Sequence, residues 1–456
     1  MNFIYGDFKL REIKVGYAPI KQPIFDQEWA EDMYQRSNKL LSSLKGVKII
    51  RPEGTVTTEE DAQKAGELFH KEDVDLVLME SINSDSGILA TIMGQKASVP
   101  IILWSTPEPI EDGKSLKANS LCGAMIIAGT LRRLNLKYKH IEGYPEDLEF
   151  QKKLKDSINV LGSIAALRES KLGLVGYVAP GFHHASFDEI LVRKTFGVQI
   201  HHVDLSEVFS EAEALTKDEI DKEIDEMKKR GKIAEGVTEE DFKKTASITL
   251  ALEKIVKKYG ITALAVKCFP EFQDLFKFAP CAVLGRCNDK GIMTACEGDM
   301  IGTLTMVLEN YLTGNLVFFT DIIDMNDKTN IGIVWHCGQG VTSLAEDPES
   351  VTYKPNFLFN LGLTTELACK PGPVTVARIS ERENTYRVYA FEGEAVKVDA
   401  VLRGAQMNVK FDQPIEKIRE IIFEDGVENH FAVVHGRIGK KLREFAKWFG
   451  IESVIM

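Results

Sequence analysis

The order of apolar runs predicts an α/β protein. Two doubly wound α/β domains span residues 1–165 and 166–320, and a β-rich domain spans 321–456. Three observations carry this. Over residues 14–140, short apolar runs alternate with amphipathic helical stretches. The alternation restarts near residue 172. Past residue 350 the helical periodicity fades and extended segments take over.

In the first domain, residues 14–18, 47–50, 74–78 and 101–104 read as short buried strands. Segments near 26–45, 58–70 and 84–96 read as the helices between them. WSTPEP follows the fourth strand, then NSLCGAMIIAGTLRRLNL, a helix that Asn119 or Ser120 could cap. Trp104 and Asn119 fall at or just beyond a strand's carboxyl end. Ligands of open α/β sheets bind there, so both are candidates to line a cleft, although turn chemistry also accounts for them. The charged stretch EGYPEDLEFQKKLKDS marks a boundary near 142–166.

The second domain opens with a strand at 172–179, followed by PGFHH, a helix from about 186 to 196 and a strand near 198–203. His183, His184, His201 and His202 lack metal-ligand spacing and read as loop or polar-face residues. Residues 205–260 read as charged, solvated helices. A strand at 261–266 ends in Lys267, and CAVLGRCNDKG carries Arg286. These two cations could meet a polyhydroxy or anionic substrate, or pair with nearby acids.

The segment GIMTACEGDMIGTLTMVLENYLTGNLVFFTDIID, residues 291–324, reads as strand, helix, strand. Met300, Ile301, Leu304, Val307, Leu308, Tyr311 and Leu312 recur at helical spacing, and Gly314 stands at the C-cap. Residues 316–319 read as a buried parallel strand. A right-handed crossover would bring Glu297 and Asp321 to one edge of one sheet. Carboxylates held together there repel unless a cation or a shared proton relieves them. The plainer alternatives are a helix N-terminal acid and a turn residue.

In the third domain His336 ends the run IGIVWHCGQG. PGPVTVARI and TYRVYAFEGEAVKV read as strands joined by SEREN. His430 precedes the apolar residues 431–434, and a helix with Ile438, Leu442, Phe445 and Trp448 on one face follows. Glu297, Asp321, His336 and His430 form a candidate ligand set. Carboxylates with imidazoles suit a divalent ion such as Mn²⁺, Mg²⁺ or Co²⁺ better than a thiolate metal.

Charge and composition narrow the function. The chain has 456 residues and a net charge of −12, with a pI near 5.4. That argues against a nucleic-acid partner or an anionic membrane surface. No run approaches the ~20 apolar residues of a membrane span, and the amino terminus shows no apolar leader region. The seven cysteines are scattered, with no CxxC pair, and no phosphate-binding glycine loop occurs. The expectation is a cytoplasmic enzyme acting on a small molecule.

The chain resembles the L-fucose isomerase and L-arabinose isomerase superfamily. EGDMIGTLTMVLENYLTGNLVFFTD is similar to the fucose isomerase segment that runs from one catalytic glutamate to a catalytic aspartate, and ACEGD is similar to the arabinose isomerase sequence around the first. NHFAVVHG resembles the segment carrying the last metal ligand, which places that ligand at His430 with Asn429 before it. His336 in VWHCG matches a third ligand of the arabinose branch, which the fucose branch lacks. Motif-level likeness is confined to about 291–340 and 425–450, and the domain order, with a barrel-like C-terminal domain, covers the whole chain.

The resemblance implies a metal-dependent aldose–ketose isomerase working through a cis-enediol. Mn²⁺ is the foremost metal, with Mg²⁺ or Co²⁺ as alternatives. Glu297 and Asp321 would be ligands and acid–base pair, His430 and His336 would complete the ligand set, and Asn429 would orient substrate hydroxyls. Trp104, Asn119, Lys267 and Arg286 are further substrate-binding candidates. The substrate would be a pentose, a 6-deoxyhexose or a modified hexose, including a sulfonated one such as sulfoquinovose. Arg132, Arg133 and Arg437 join Lys267 and Arg286 as possible partners for an anionic group. A homo-oligomer, trimer or hexamer, with the site between subunits is implied. The competing expectations are a sugar-binding protein on the same fold, or an epimerase.

Overall fold

A computed structural model describes residues 12–111, 113, 115–398 and 402–456. The amino-terminal segment read above as lacking a leader lies largely outside them. Two compact units cover residues 11–165 and 166–456.

The first unit alternates β1 (Ile13–Ile20), α1 (Gln27–Ser42), β2 (Val47–Ile50), α2 (Glu59–Lys71) and β3 (Leu76–Ser81). It continues with α3 (Ile88–Ala97), β4 (Ile101–Ser105), α4 (Ser120–Arg133), β5 (Tyr138–Glu142) and α5 (Leu148–Glu169). All five strands are parallel, in the order β2–β1–β3–β4–β5. Burial on both sheet faces explains why β3 and β4 are buried at every residue and mostly apolar. α2 starts on a reciprocal capping box between Thr58 and Asp61. EGYPEDLEFQKKLKDS contains the first half of α5, whose charges face water while Phe150, Leu154 and Ile158 are buried, and the two units divide within the 142–166 boundary region. Asn119 stands at the N-cap position of α4 but makes no side-chain cap, and neither does Ser120. Ser120 Oγ instead bonds to Ser81 O and accepts the Thr106 N–H at 3.0 Å.

The second unit holds β6 (Lys171–Val175), α6 (Glu189–Phe196), β7 (Gln199–Val203), α7 (Leu205–Glu213), α8 (Lys217–Lys228) and β8 (Lys232–Ile233). Then come α9 (Glu239–Tyr259), β9 (Ala263–Val266), α10 (Glu271–Asp274), α11 (Cys281–Asp289), β10 (Thr294–Ala295) and α12 (Met300–Thr313). Next are β11 (Val317–Asn326), β12 (Ile331–His336), β13 (Thr352–Pro355), β14 (Leu363–Ala368), β15 (Gly372–Arg382) and β16 (Thr385–Val396). The chain ends with β17 (Ala405–Phe411), α13 (Ile415–Glu424), β18 (His430–His435), α14 (Gly439–Phe449) and β19 (Glu452–Ile455).

β10–β9–β6–β7 form a parallel sheet. The remaining strands form a ten-stranded mixed sheet, ordered β19–β16–β15–β18–β11–β12–β17–β14–β13–β8. β16 also pairs with β17, so β16, β15, β18, β11, β12 and β17 make a closed ring of antiparallel pairings.

The predicted parallel crossover around residue 300 does not form. β10 belongs to the four-stranded sheet, whereas β11 runs antiparallel between β12 and β18 in the larger one. A short apolar run reports burial, not strand direction. The helix between them is as the periodicity requires: Asp299 caps α12, and Gly314 at φ +71° ends it. α12 packs against strands of both sheets, and Met300 through Glu309 are all buried. Among the described residues, no helix is long and apolar enough to cross a membrane.

One buried charge in the first unit has a measurable consequence. Glu80 in β3 is fully enclosed. The Tyr17 hydroxyl and the Ser37 hydroxyl, at 2.7 Å, both donate to it. Burial outweighs those bonds and pushes its carboxyl from 4.5 up to about 7. The folded state then binds the Glu80 proton more tightly than the unfolded chain does. Its stabilisation is complete below pH 4.5 and is lost as pH rises through about 7. Glu80→Gln should remove roughly 3 kcal/mol of that pH dependence. Thermal melts at pH 5 and pH 8 would check it, the variant showing the flatter profile.

Candidate active site

The site in the second unit starts at a strained turn after β10. Glu297 has φ +62° and Gly298 has φ +75°. A Cβ at residue 298 would stand 2.7 Å from Tyr177 O, so only glycine fits there. The Gly298 N–H donates to Val266 O at 3.0 Å, and Glu297 O accepts the Ala179 N–H at 2.9 Å. Such backbone strain in a glutamate is uncommon and clusters at functional sites.

Asp299 is the next anchor. One of its oxygens accepts the Gly302 N–H at 2.7 Å, capping α12. Arg378, projecting from β15, grips both oxygens at 2.6 and 3.1 Å. His430 Nδ1, from β18, bonds the same carboxylate at 3.0 Å. Asp299 and Arg378 are both almost fully buried, and Glu428 lies 3.6 Å from Arg378 Nε. Burial alone would raise the Asp299 pKa, but Arg378 and His430 outweigh it and hold the carboxyl far below its usual range.

The other face of His430 meets both predicted carboxylates. Its Nε2 lies 2.8 Å from Glu297 and 3.7 Å from Asp321. Burial works against the imidazolium, yet the bonds to Asp299 and Glu297 raise its pKa from 6.5 to about 10. Asp321 sits in β11 directly across from His430 in the ladder. Burial raises its pKa, opposed by His430 and by the Asn429 amide. Asn429 Nδ2 donates to Asp321 at 2.6 Å, while its Oδ1 lies 2.7 Å from His184 Nε2. Aromatic rings wall the imidazole: Phe319 at 4.7 Å and Phe182, nearly parallel, at 6.5 Å between centroids.

His336 ends β12 with its ring 6.0 Å from that of His430. Its Nε2 is buried with no hydrogen-bond partner. Burial lowers its pKa to about 3, so the ring is neutral. The Cys337 N–H donates to its Nδ1 at 2.9 Å, which leaves the proton on Nε2. Ligation through Nε2 requires that proton to move to Nδ1, where Cys337 Sγ at 3.4 Å can accept it.

Asp321, His336 and His430 each offer a ligand atom, all within 4.8 Å of one another. The donors fit a divalent cation. Asp299 holds the Nδ1–H of His430, so Nε2 faces the cluster and a cation would displace the Nε2 proton, as at carboxylate-held histidine ligands. The partnerless Nε2 of His336 becomes a further donor only once its proton has moved to Nδ1.

Four other predicted residues have partners of their own. Lys267 is buried with its ammonium 2.5 Å from Glu271 and over the Tyr177 ring, and Arg286 is buried 2.6 Å from Glu223. Each cation is thus paired with an acid of its own unit. Trp104 is a core side chain of the first unit and not a cleft residue. It is fully buried, donates to Gly143 O at 2.9 Å and packs on Phe150. Asn119, partly buried in the same unit, gives its backbone N–H to Glu108 at 2.6 Å.

Sequence reasoning missed Asp299 and Arg378, and read His184 only as a loop or polar-face residue. Asp299 had a signal, an N-cap aspartate two residues after the glutamate. Arg378 had one too, as the lone charge in the apolar strand PVTVARI. The contact of His184 with Asn429 had none, because the two lie 245 residues apart.

Three family models match the chain in order. They are the fucose/sulfoquinovose isomerase N-terminal domain over residues 16–168, the L-arabinose isomerase central domain over 185–312 and the L-fucose isomerase C-terminal domain over 335–456. The chain belongs to the fucose isomerase and arabinose isomerase superfamily. Within it, the chain is 29% identical to a sulfoquinovose isomerase of Priestia aryabhattai, covering 98% of this chain and all of the relative. A sulfoquinovose isomerase of Clostridium sp. (strain MSTE9) is 28% identical, with 98% of this chain and 100% of the relative covered. L-arabinose isomerase 2 of Clostridium acetobutylicum is 23% identical over 49% of this chain and 47% of its own length. Glu297 lies in the central-domain match and His336 and His430 in the C-terminal one.

The Asp299 bond to His430 is open to direct measurement. In metal-free protein the His430 ring should stay doubly protonated to about pH 10. Asp299→Asn should move the midpoint down towards 6.5. Nitrogen-15 NMR of histidine-labelled protein reads both; an unmoved midpoint would contradict the electrostatic account.

Proposed function

We propose that this protein is a cytoplasmic, metal-dependent aldose–ketose isomerase whose substrate is an aldohexose sulfonated at C6, sulfoquinovose. The convergence of Glu297 and Asp321 on the two sides of His430 Nε2 carries the reaction class. The names of the full-length relatives support the substrate.

Isomerisation takes the proton from C2 of the aldose, returns it to C1, and shifts a hydroxyl proton from O2 to O1 through a cis-enediol. A bound divalent ion, Mn²⁺ first with Mg²⁺ or Co²⁺ as alternatives, would supply the Lewis acidity that makes the C2–H acidic. Glu297, Asp321 and His430 would hold it, with His336 as a fourth ligand once its ring proton sits on Nδ1. One carboxylate of the Glu297–Asp321 pair carries the carbon proton and the other shuttles the oxygen proton. Asn429, locked between Asp321 and His184, orients a substrate hydroxyl. Phe182 and Phe319 keep water from the enediol. The sulfonate finds its partner elsewhere than on Lys267 or Arg286, whose charges are already paired. A trimer or hexamer with the site between subunits belongs to the same proposal.

Proton NMR in D₂O on metal-stripped protein is the test, with Mg²⁺ or Co²⁺ added back. Sulfoquinovose should convert to its ketose with deuterium incorporated, only when metal is present. Exchange without ketose would mean an epimerase, and tight sugar binding without exchange a binding protein. Glu297→Gln should keep the circular dichroism spectrum and lose essentially all turnover; near-native activity would remove Glu297 from its role. His336→Ala should weaken metal binding by about 10–100-fold if its ring is a ligand or a ligand support. Calorimetric titration with Mn²⁺ decides that.

A further inference from the structure

A second group of ligand atoms shares Glu297 with the site above. Cys268 follows β9 and Cys296 follows β10, on neighbouring parallel strands of the smaller sheet. Their sulfurs lie 3.1 Å apart, and both residues are buried. A Glu297 carboxylate oxygen and the two sulfurs all fall within 4.8 Å of one another. Glu297 thus stands between His430 on one side and two thiols on the other.

The separation of the sulfurs discriminates between uses. A disulfide needs about 2.05 Å, so the pair would have to close by about 1 Å. Two thiolates on one tetrahedral zinc-like ion, with bonds near 2.3 Å, stand about 3.7 Å apart, an opening of only about 0.6 Å. The third donor also favours a cation, since a carboxylate has no part in a disulfide. Two thiolates, one carboxylate and one open position make the three-ligand pattern of soft, four-coordinate ions. The hard ion of the isomerase would prefer the oxygen and imidazole side.

We propose that Cys268, Cys296 and Glu297 form a binding site for a soft divalent cation such as Zn²⁺ or Cd²⁺, distinct from the Asp321–His336–His430 cluster and joined to it through Glu297. Binding displaces the two thiol protons to solvent and leaves both sulfurs as thiolate ligands. A Glu297 carboxylate engaged by the soft ion is withdrawn from the sugar reaction, so the ion inhibits turnover. The site stands independently of the proposed activity; its inhibitory consequence rests on that activity.

The probe is Cd²⁺ added to reduced, metal-stripped, full-length protein whose seven cysteines all titrate as free thiols after denaturation. The expected result is a sulfur-to-cadmium charge-transfer absorption in the near ultraviolet, saturating at one ion per chain. Cys268→Ser and Cys296→Ser should each abolish it, and Cys122→Ala, in the other unit, should leave it unchanged. Glu297→Gln should keep the absorption but weaken binding by about tenfold or more, which protects the test against serine variants that fail to fold. No absorption in the reduced wild type, or one that persists in both serine variants, overturns the site. Cadmium absorption without loss of sugar turnover would overturn the inhibition and leave both metal sites standing.

Discussion

Everything in the candidate site hangs on one buried carboxylate. Asp299 is enclosed with Arg378 and His430, and each of the three would be costly there alone. Together they form a charge-compensated knot with bonds of 2.6 to 3.1 Å. The knot ties the amino end of α12 to β15 and β18, so it couples the parallel sheet to the antiparallel ring. It also orients His430, and through His430 both Glu297 and Asp321 are placed.

The electrostatics follow from that arrangement. With Asp299 ionised behind it and Glu297 in front, His430 holds a proton to about pH 10 when no other cation is near. The imidazolium is the charge that a divalent ion would replace. His336, on the same side but with no acid bonded to it, is neutral because burial and the neighbouring His430 charge outweigh the pull of Glu297. Two histidines with rings 6.0 Å apart therefore occupy opposite protonation states, set by which one the buried carboxylate reaches.

The site is also economical in its use of strain. Glu297 adopts a left-handed backbone where Gly298 must be glycine, because Tyr177 O leaves no room for a Cβ. The turn aims one carboxylate between an imidazole and two thiols. Hard and soft ligand atoms thus share a single acid, and the chemistry available depends on which side engages it.

The sequence by itself determined a good deal. The first four strands of the first unit, the α12 periodicity with its C-cap glycine, the β15–β16 hairpin and the ends of β12 and β18 were legible, because burial imposes periods that residue types record. Glu297, Asp321, His336, Asn429 and His430 were legible through motif resemblance. Only the tertiary structure decided that β10 and β11 belong to different sheets, since an apolar run carries no direction. It also decided that Lys267 and Arg286 are paired internally and that Trp104 is core, because a side chain's partner is a matter of long-range contact. Asp299, Arg378 and His430 are separated by up to 131 residues, and no local pattern can announce an ion pair that exists only once the sheets have closed on one another.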